Sequence, residues 1–482
     1  MIDLRPVGYV IGLLVAVLGG AMLVPMFVDW VSGNGHAWVF LQSAILTGFA
    51  GGGVALACSN GADQRINIQQ TFLITTGVWL ALPVFGAIPF WLGATEARLV
   101  DGFFEAMSGL TTTGSTVFTG LEDLPRGILF WRGMLQWIGG IGIIVVAMVF
   151  LPELRIGGMQ IFRSEGFDTF GKILPRAGQI SARISVVYLT LTIICGLFYL
   201  GFGMAPFDAI VHAMTTIATG GFANYDDSFA VFGAGVEYTA IAFMILAALP
   251  FVRYVQLLSG AGGNIFADAQ VRAFLGLIVA VGLLLVLWLW ATSPLTGELG
   301  LRKALFNGVS ILTGTGYASA DYMLWGAFPV AVLFFAGLIG GCAGSTSCSI
   351  KVFRYQILVS SIFAQLQRSH SPHGLFRPRY DGRPIDDEVL SSVMAFFVLF
   401  LISLGVTAVL LGATGLDLIT SVSAASAALA NIGPGLGDIV GPSGNFAPLS
   451  DTAKWLLAAA MLVGRLELMV VYAILTLHFW RA

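Results

Sequence analysis

Charge is scarce in this chain. Its 482 residues include 23 Lys and Arg and 26 Asp and Glu, so charged residues are 10% of the total, against about 25% in soluble domains. Hydrophobic residues are 57% and mean hydropathy is +0.89. That much apolar surface cannot be hidden from water, so a lipid bilayer is the expected solvent. The net charge of −3 gives no reason to expect a nucleic-acid partner. Cysteine is also scarce. Cys58 and Cys195 sit in apolar runs, and Cys342 and Cys348 share one glycine-rich stretch. Four such residues read as small packing groups, not as a disulfide framework. No cleavable leader stands out. The stretch 7–28 is long enough to span a membrane and lacks a small-residue cleavage site, so it reads as a retained helix.

Catalytic clusters are missing too. No Ser/His/Asp or Cys/His arrangement is visible. The Gly139-Gly140-Ile141-Gly142 run opens no βαβ unit, so no nucleotide site is expected in this chain. His370 and His373 flank Pro372 in a loop, and His212 and His478 stand alone in apolar stretches. The chain is not expected to be an enzyme.

Long apolar runs, by contrast, are abundant. A spanning helix needs roughly 20 mostly apolar residues. Candidates are 7–28, 37–58, 70–93, 128–151, 183–203, 236–258, 271–292, 325–365 (interrupted), 389–412 and 453–480. Four shorter stretches, near 100–111, 206–217, 301–312 and 416–429, are too short to cross. They fit re-entrant helices. Lys and Arg bias sets orientation. Arg65, then Arg155, Arg163, Lys172, Arg176 and Arg183, then Arg272, then Arg368, Arg377, Arg379 and Arg383 fall on one side with Arg5 and Arg481. That side, with both termini, is expected to be cytoplasmic. The other side carries Asp101, Glu105, Glu122, Asp123, Asp226 and Asp227, an acidic mouth that would concentrate cations.

Each short stretch leads into a glycine-centred segment. The four read Thr112-Thr113-Gly114-Ser115-Thr116, Ala218-Thr219-Gly220-Gly221-Phe222, Leu312-Thr313-Gly314-Thr315-Gly316 and Asn431-Ile432-Gly433-Pro434-Gly435. Gly114, Gly220, Gly314 and Gly433 are 106, 94 and 119 residues apart. After two leading helices the pattern span, half-helix, glycine loop, span recurs four times. The expected divisions are 1–62, 63–158, 159–262, 263–370 and 371–482. All four repeats run in one topology, unlike the inverted repeats of rocking carriers, which favours a pore. Glycine tolerates φ > 0 and lets successive carbonyls face one line; Thr adds hydroxyl acceptors. None of the segments carries Asp or Glu, which argues against a calcium-type site. The pattern points to a monovalent cation losing its water.

Two further features stand apart. The eighth run contains Gly340-Gly341-Cys342-Ala343-Gly344-Ser345-Thr346-Ser347-Cys348-Ser349-Ile350-Lys351. Helix through these glycines is costly by roughly 1 kcal/mol each. A break in mid-membrane is expected, either as an obstruction of the pore or as a close packing face. Arg132, Lys351 and Arg465, the last with Glu467 nearby, are ionisable residues inside apolar runs and hence functional candidates.

These runs resemble the Trk/Ktr/HKT superfamily of potassium transporters, and within it the bacterial TrkH/TrkG type. The residues that carry the resemblance are Phe130-Trp131-Arg132-Gly133-Met134-Leu135-Gln136-Trp137-Ile138-Gly139-Gly140, Leu151-Pro152, Thr215 to Phe222, Ile339 to Thr346 and Met461 to Glu467. The resemblance implies an all-α polytopic fold: two N-terminal helices, then four span, pore-helix, filter-loop, span repeats about a pseudo-fourfold axis. It implies a homodimer in the bacterial inner membrane with one pore per subunit. Potassium would be held by backbone oxygens of Thr112, Thr113, Gly114, Ala218, Thr219, Gly220, Leu312, Thr313, Gly314, Asn431, Ile432 and Gly433. Gating would fall to Gly340, Gly341, Cys342, Ala343, Gly344, Ser345, Thr346 and Lys351, with Arg465 facing them. A TrkA-like cytoplasmic ring would bind the nucleotide. A sodium-selective or proton-coupled transporter on the same scaffold is the alternative. Two departures matter. Ser347-Cys348-Ser349 stands where the family continues with glycines. The second and third segments each hold two glycines, so Gly221 or Gly316 could be the equivalent of Gly114.

Overall fold

The structure is a computed structural model that describes residues 2–62, 66–146, 157–159, 177–260 and 264–481. Arg65, Arg155, Arg163, Lys172, Arg176 and the Leu151-Pro152 pair lie outside the described residues. Two leading elements come first. Helix α1 (Arg5–Ala21) continues past Met22 into α2 (Leu23–Ser32), and α3 (Ala37–Ala57) returns beside it. Small residues let α1 and α3 approach to backbone contact: a Cβ on Gly12 would stand 2.6 Å from the Ala55 nitrogen, and one on Gly19 2.7 Å from that of Gly48. Close approach through small residues is the usual means of helix association in lipid. Gly8 faces the Cys58 sulfur in the same interface.

The rest of the chain places four short helices among long ones. The first group is α4 (Ile68–Gly86), α5 (Ile88–Leu92), short α6 (Leu99–Leu110) and α7 (Arg126–Val145). The second is α8 (Ala177–Gly201), short α9 (Pro206–Ile217), α10 (Ala234–Ala247) and α11 (Phe251–Leu258). The third is α12 (Ala269–Thr292), α13 (Gly297–Leu312), α14 (Ala327–Gly337) and α15 (Val352–His370). The fourth is α16 (Asp387–Ala413), short α17 (Leu418–Ala430), α18 (Gly437–Val440), α19 (Asp451–Arg465) and α20 (Met469–Leu475).

Among the described residues, seven helices are long and apolar enough to span, or up to nine with the bent pairs α10/α11 and α19/α20. Ten runs were expected, and three of them are broken. The α10/α11 bend is 85°, at Pro250, which has no N–H to continue the ladder. The α19/α20 bend is 111°, where Glu467 (φ 58°) and Leu468 (φ 50°) turn left-handed. The run 325–365 divides into α14 and α15, separated by a closed loop.

Polarity is inverted relative to a soluble protein. Phe49, Leu56, Leu197, Leu287 and Val409 are exposed on long helices, whereas Glu105, Arg132, Gln136, Asn307 and Asn431 are buried. Water is absent from a bilayer core, so interior polar groups must be satisfied within the protein. The buried apolar core forms two bodies. One is built around Phe104, Trp131, Leu135 and Leu457, the other around Tyr199, Phe229, Phe306 and Tyr317.

Candidate ion pathway

The four short helices end alike. Thr112 N–H bonds to Gly109 O at 3.0 Å and Thr113 N–H to Ser108 O at 2.9 Å. The same pair recurs as Thr219 to Thr216 (3.0 Å) and Gly220 to Thr215 (2.9 Å). It recurs as Gly314 to Ile311 (3.0 Å) and Thr315 to Ser310 (2.8 Å), and as Asn431 to Ala428 (3.3 Å) and Ile432 to Ala427 (3.0 Å). This is a Schellman ending, which needs a left-handed residue. The residues that supply it are Thr112 (φ 51°), Thr219 (φ 49°), Gly314 (φ 72°) and Asn431 (φ 51°). For the β-branched threonines that conformation costs of order 1–3 kcal/mol. Two residues on, the backbone is left-handed again at Gly114 (φ 88°), Gly221 (φ 79°), Gly316 (φ 82°) and Gly433 (φ 104°).

Shared bonds and dihedrals fix the register. Gly221 and Gly316, not Gly220 and Gly314, occupy the position of Gly114 and Gly433. Ala218 falls one residue before the left-handed turn, Thr313 likewise, and Leu312 is the last residue of its helix. Contacts then close a ring. A Cβ on Gly114 would collide with the Gly220 carbonyl oxygen, one on Gly221 with that of Thr315, and one on Gly316 with that of Ile432. A Cβ on Gly433 would stand 2.9 Å from the Thr113 oxygen. Only glycine allows backbone to approach backbone this closely. The helix C-termini, with their negative dipole ends, all lead into this ring.

Side chains brace the ring from behind. Glu105, His212 and Asn307 hold one position on their helices, each seven residues before the left-handed turn. The Val117 N–H donates to Glu105 at 3.0 Å, the Asn224 N–H to His212 Nε2 at 3.4 Å and the Ser319 N–H to Asn307 Oδ1 at 3.2 Å. On α17 the neighbouring Ser423 does this, accepting from Leu436 N–H at 2.9 Å. Helix α7 grips two segments at once. Arg132 pairs with Glu105 at 2.8 Å and donates to Ala223 O at 2.9 Å and Thr116 Oγ1 at 3.2 Å. Its guanidinium lies 4.2 Å from the Phe222 ring centroid. One turn on, the Gln136 amide donates to Gly220 O at 2.5 Å and accepts from Phe222 N–H at 3.1 Å.

A cavity of about 450 Å³ opens on one side of the ring, lined by Gly114, Gly221, Gly316 and Gly433 together with Arg132, Asp226 and Asp438. The expected acidic mouth is reduced in number. Glu105 is buried in its ion pair, and Asp101 is held by Arg98 at 2.7 Å and Lys454 at 2.6 Å. Asp226 does line the cavity, while accepting from Gly120 N–H at 2.7 Å. Asp438 joins it there and was not singled out in the sequence.

The interrupted run lies against the other side of the ring. Strands β1 (Ile339–Gly340) and β2 (Ile350–Lys351) pair in parallel and close the loop between them. A Cβ on Gly340 would collide with the Cys348 oxygen. The loop is docked on the α10/α11 break: Cys342 N–H donates to Ala248 O at 3.0 Å, Phe251 N–H to Gly344 O at 2.9 Å, and Thr346 Oγ1 to Ala247 O at 3.0 Å. Ser345 closes on Cys342 O at 2.7 Å; Ala343 N–H donates to Gln270 at 2.8 Å; Gly341 N–H donates to Ser347 Oγ at 2.8 Å. Lys351 donates to the Ser347 carbonyl. Arg465 donates to the Cys348 sulfur and to Gly139 O at 3.3 Å. Thr112 Oγ1 stands 3.6 Å from the same sulfur. Ring, loop and Arg465 therefore meet at Cys348. Glu467 does not pair with Arg465. It pairs with Arg354 at 2.5 Å, a buried arginine that also lies 3.9 Å from the Phe396 ring centroid.

The family model described as "TrkH: Cation transport protein" matches residues 36–477. The chain belongs to the TrkH family. This TrkH-family chain is a multi-pass membrane transport protein, not an enzyme. It is 40% identical to Trk system potassium uptake protein TrkI of Halomonas elongata, over 99% of this chain and 97% of the relative. It is 34% identical to Trk system potassium uptake protein TrkH of Salmonella typhimurium, over 99% of each. Its structure matches the crystal structure of the potassium transporter TrkH from Vibrio parahaemolyticus with TM-score 0.91 and 33% identity over 100% of both chains.

Asn307 and Arg354 stand in no motif of the sequence, Gln136 stands in the Phe130 to Gly140 run without a role of its own, and Glu105 braces the ring instead of lining the mouth. For Glu105 and Asn307 the sequence signal is positional: with His212 they stand at one offset from the glycine segments.

Proposed function

We propose that this chain conducts potassium into a bacterial cell through the glycine ring, which acts as the selectivity filter. The observation that carries this reading is the ring itself: four left-handed glycines abut the next segment's carbonyl in cyclic order. The curated relatives' names supply the ion, potassium, and the direction, uptake. Backbone oxygens of Thr112 to Gly114, Thr219 to Gly221, Gly314 to Gly316 and Asn431 to Gly433 would replace the ion's hydration shell. Ala218, Leu312 and Thr313 then serve as helix ends leading into the filter. The four groups of helices are four repeats about one axis. The loop from Gly340 to Lys351 is the gate, held by Arg465. A second copy of the chain completes a homodimer in the inner membrane. A cytoplasmic TrkA-like ring supplies nucleotide control.

The test is growth of a potassium-transport-deficient bacterium at limiting potassium, with the chain and its cognate regulatory subunit expressed together. Rescue is expected. In the same cells Gly114→Ser should lower the ratio of potassium to sodium flux, because a side chain at Gly114 meets the Gly220 carbonyl. An unchanged ratio removes the filter assignment.

A further inference from the structure

Among the described residues, the Asn431 side-chain oxygen beside the ring has no hydrogen-bond partner. Asn431 is fully buried and occupies the left-handed position that Thr112, Thr219 and Gly314 fill in the other segments. Both of its amide hydrogens are committed: Nδ2 donates to Thr113 Oγ1 at 2.8 Å and to Met461 O at 3.0 Å. A carbonyl partner at Met461 cannot donate, so the amide cannot be flipped without losing that bond. Its Oδ1 is consequently fixed in direction, and no group of the described residues satisfies it. Leaving a buried acceptor unmet costs about 1–3 kcal/mol, and such an atom calls for an explanation.

Its surroundings supply one. Asn431 lines a cavity of about 20 Å³ together with Cys348, Lys351, Arg465 and Glu467. That space is large enough for a single water-sized species. Thr112 Oγ1, the equivalent side chain of the first segment, approaches Cys348 as well. The third corner is different. Gly314 offers no side chain, and a Cβ there would stand 3.4 Å from the Cys348 nitrogen. The gate loop is therefore seated at the one corner of this layer that lacks a side chain.

We propose that Asn431 is a specificity-determining residue: its side-chain oxygen, with the Thr112 hydroxyl, forms an inner position for a monovalent cation beside the glycine ring, which the loop blocks by lodging Cys348 at the Gly314 corner. This rests on the reading of the ring as the filter. Neutral amide and hydroxyl oxygens have the moderate field that suits a partly hydrated potassium ion. Arg465, donating to Cys348, and Lys351, donating to the Ser347 carbonyl, make the position unfavourable to a cation while the loop is seated.

The experiment compares Asn431→Gly and Asn431→Asp in full-length protein reconstituted in liposomes, reading potassium and sodium flux and block by barium, a divalent cation of potassium's size. Glycine suits the left-handed backbone and removes only the side chain. It should lower the potassium-to-sodium flux ratio about tenfold and weaken barium block. Aspartate keeps the oxygen and loses both donated hydrogen bonds. As a ligand it should hold the ratio above that of Asn431→Gly and strengthen barium block. If Asn431 merely braces Thr113 and Met461, Asn431→Asp will be no better than Asn431→Gly, and barium block will not strengthen, which overturns the proposal. An Asp variant that fails to reconstitute leaves the glycine variant to decide: undiminished barium block there also overturns it. Gly114→Ser, run alongside, separates the two levels. A changed ratio in Gly114→Ser with none in Asn431→Gly rejects the inner position alone; no change in either rejects the filter reading.

Discussion

Individual residues divide into those that shape the ring and those that hold it. Gly316 shapes it. Gly316→Ala drives a methyl into the Ile432 carbonyl, whereas the methyl of Gly314→Ala would stand 3.4 Å from the Cys348 nitrogen. Gly316→Ala should thus abolish uptake, and Gly314→Ala should leave a measurable fraction, in rubidium uptake at matched membrane levels. Arg132 holds the ring. Arg132→Leu strands Glu105 in a buried site and should cost about 3–5 kcal/mol, read as a lower melting temperature in detergent. Arg132→Lys keeps the charge but cannot reach Glu105, Ala223 and Thr116 together, so it should retain the fold with reduced uptake. The glycines themselves were legible in the sequence, because four glycine segments at wide intervals are rare by chance. Their register was not. Two glycines stand in each of the second and third segments, and only the paired hydrogen bonds of the helix ends decide between them. Arg132 was legible as an ionisable residue inside an apolar run, but its partner was not, since Glu105 is 27 residues away.

Elements show where backbone order is given up. The helices at α10/α11 and α19/α20 break where the chain loses an N–H at Pro250 or turns left-handed at Glu467 and Leu468. The loop between β1 and β2 uses the carbonyls freed at the first break, Ala247 and Ala248, as its seat. An unwound backbone is tolerated at membrane depth only when such partners exist. Deleting Gly341 to Ser347 removes the loop's contacts with Ala247, Ala248 and Gln270 and its approach to the ring. Leak flux of rubidium from loaded liposomes should rise in the deletion, and unchanged flux would reduce the loop to packing. The glycine density of this run made its departure from helix legible. The bends did not stand out, because a 23-residue apolar run looks the same straight or folded by 85°.

At the scale of the whole molecule, the ring must be closed between its last and first parts. Contacts that do this include Asn431 to Thr113 at 2.8 Å, Ser115 to Gly433 O at 2.7 Å and Lys454 to Asp101 at 2.6 Å. The first two lie in the glycine ring. The third is remote from it, so Lys454→Met should lower thermal stability by about 1–3 kcal/mol while sparing the potassium-to-sodium ratio. Melting temperature and flux ratio measured on one preparation separate these effects. Membrane class and a mostly helical, multi-span fold were legible from the sequence, since composition and apolar run length are properties of the whole chain. The closure was not, because its partners lie more than 300 residues apart.

The bare corner at Gly314 has a wider consequence. A pore assembled from four identical subunits must repeat every change four times around its axis. Here one polypeptide supplies all four corners, so Thr112, Thr219, Gly314 and Asn431 are free to differ. On the proposed reading, a blocking segment is fitted to one corner while the other three keep the chemistry of the permeating ion. Selectivity and closure can be altered by separate mutations in such a chain, a freedom that fourfold symmetry denies.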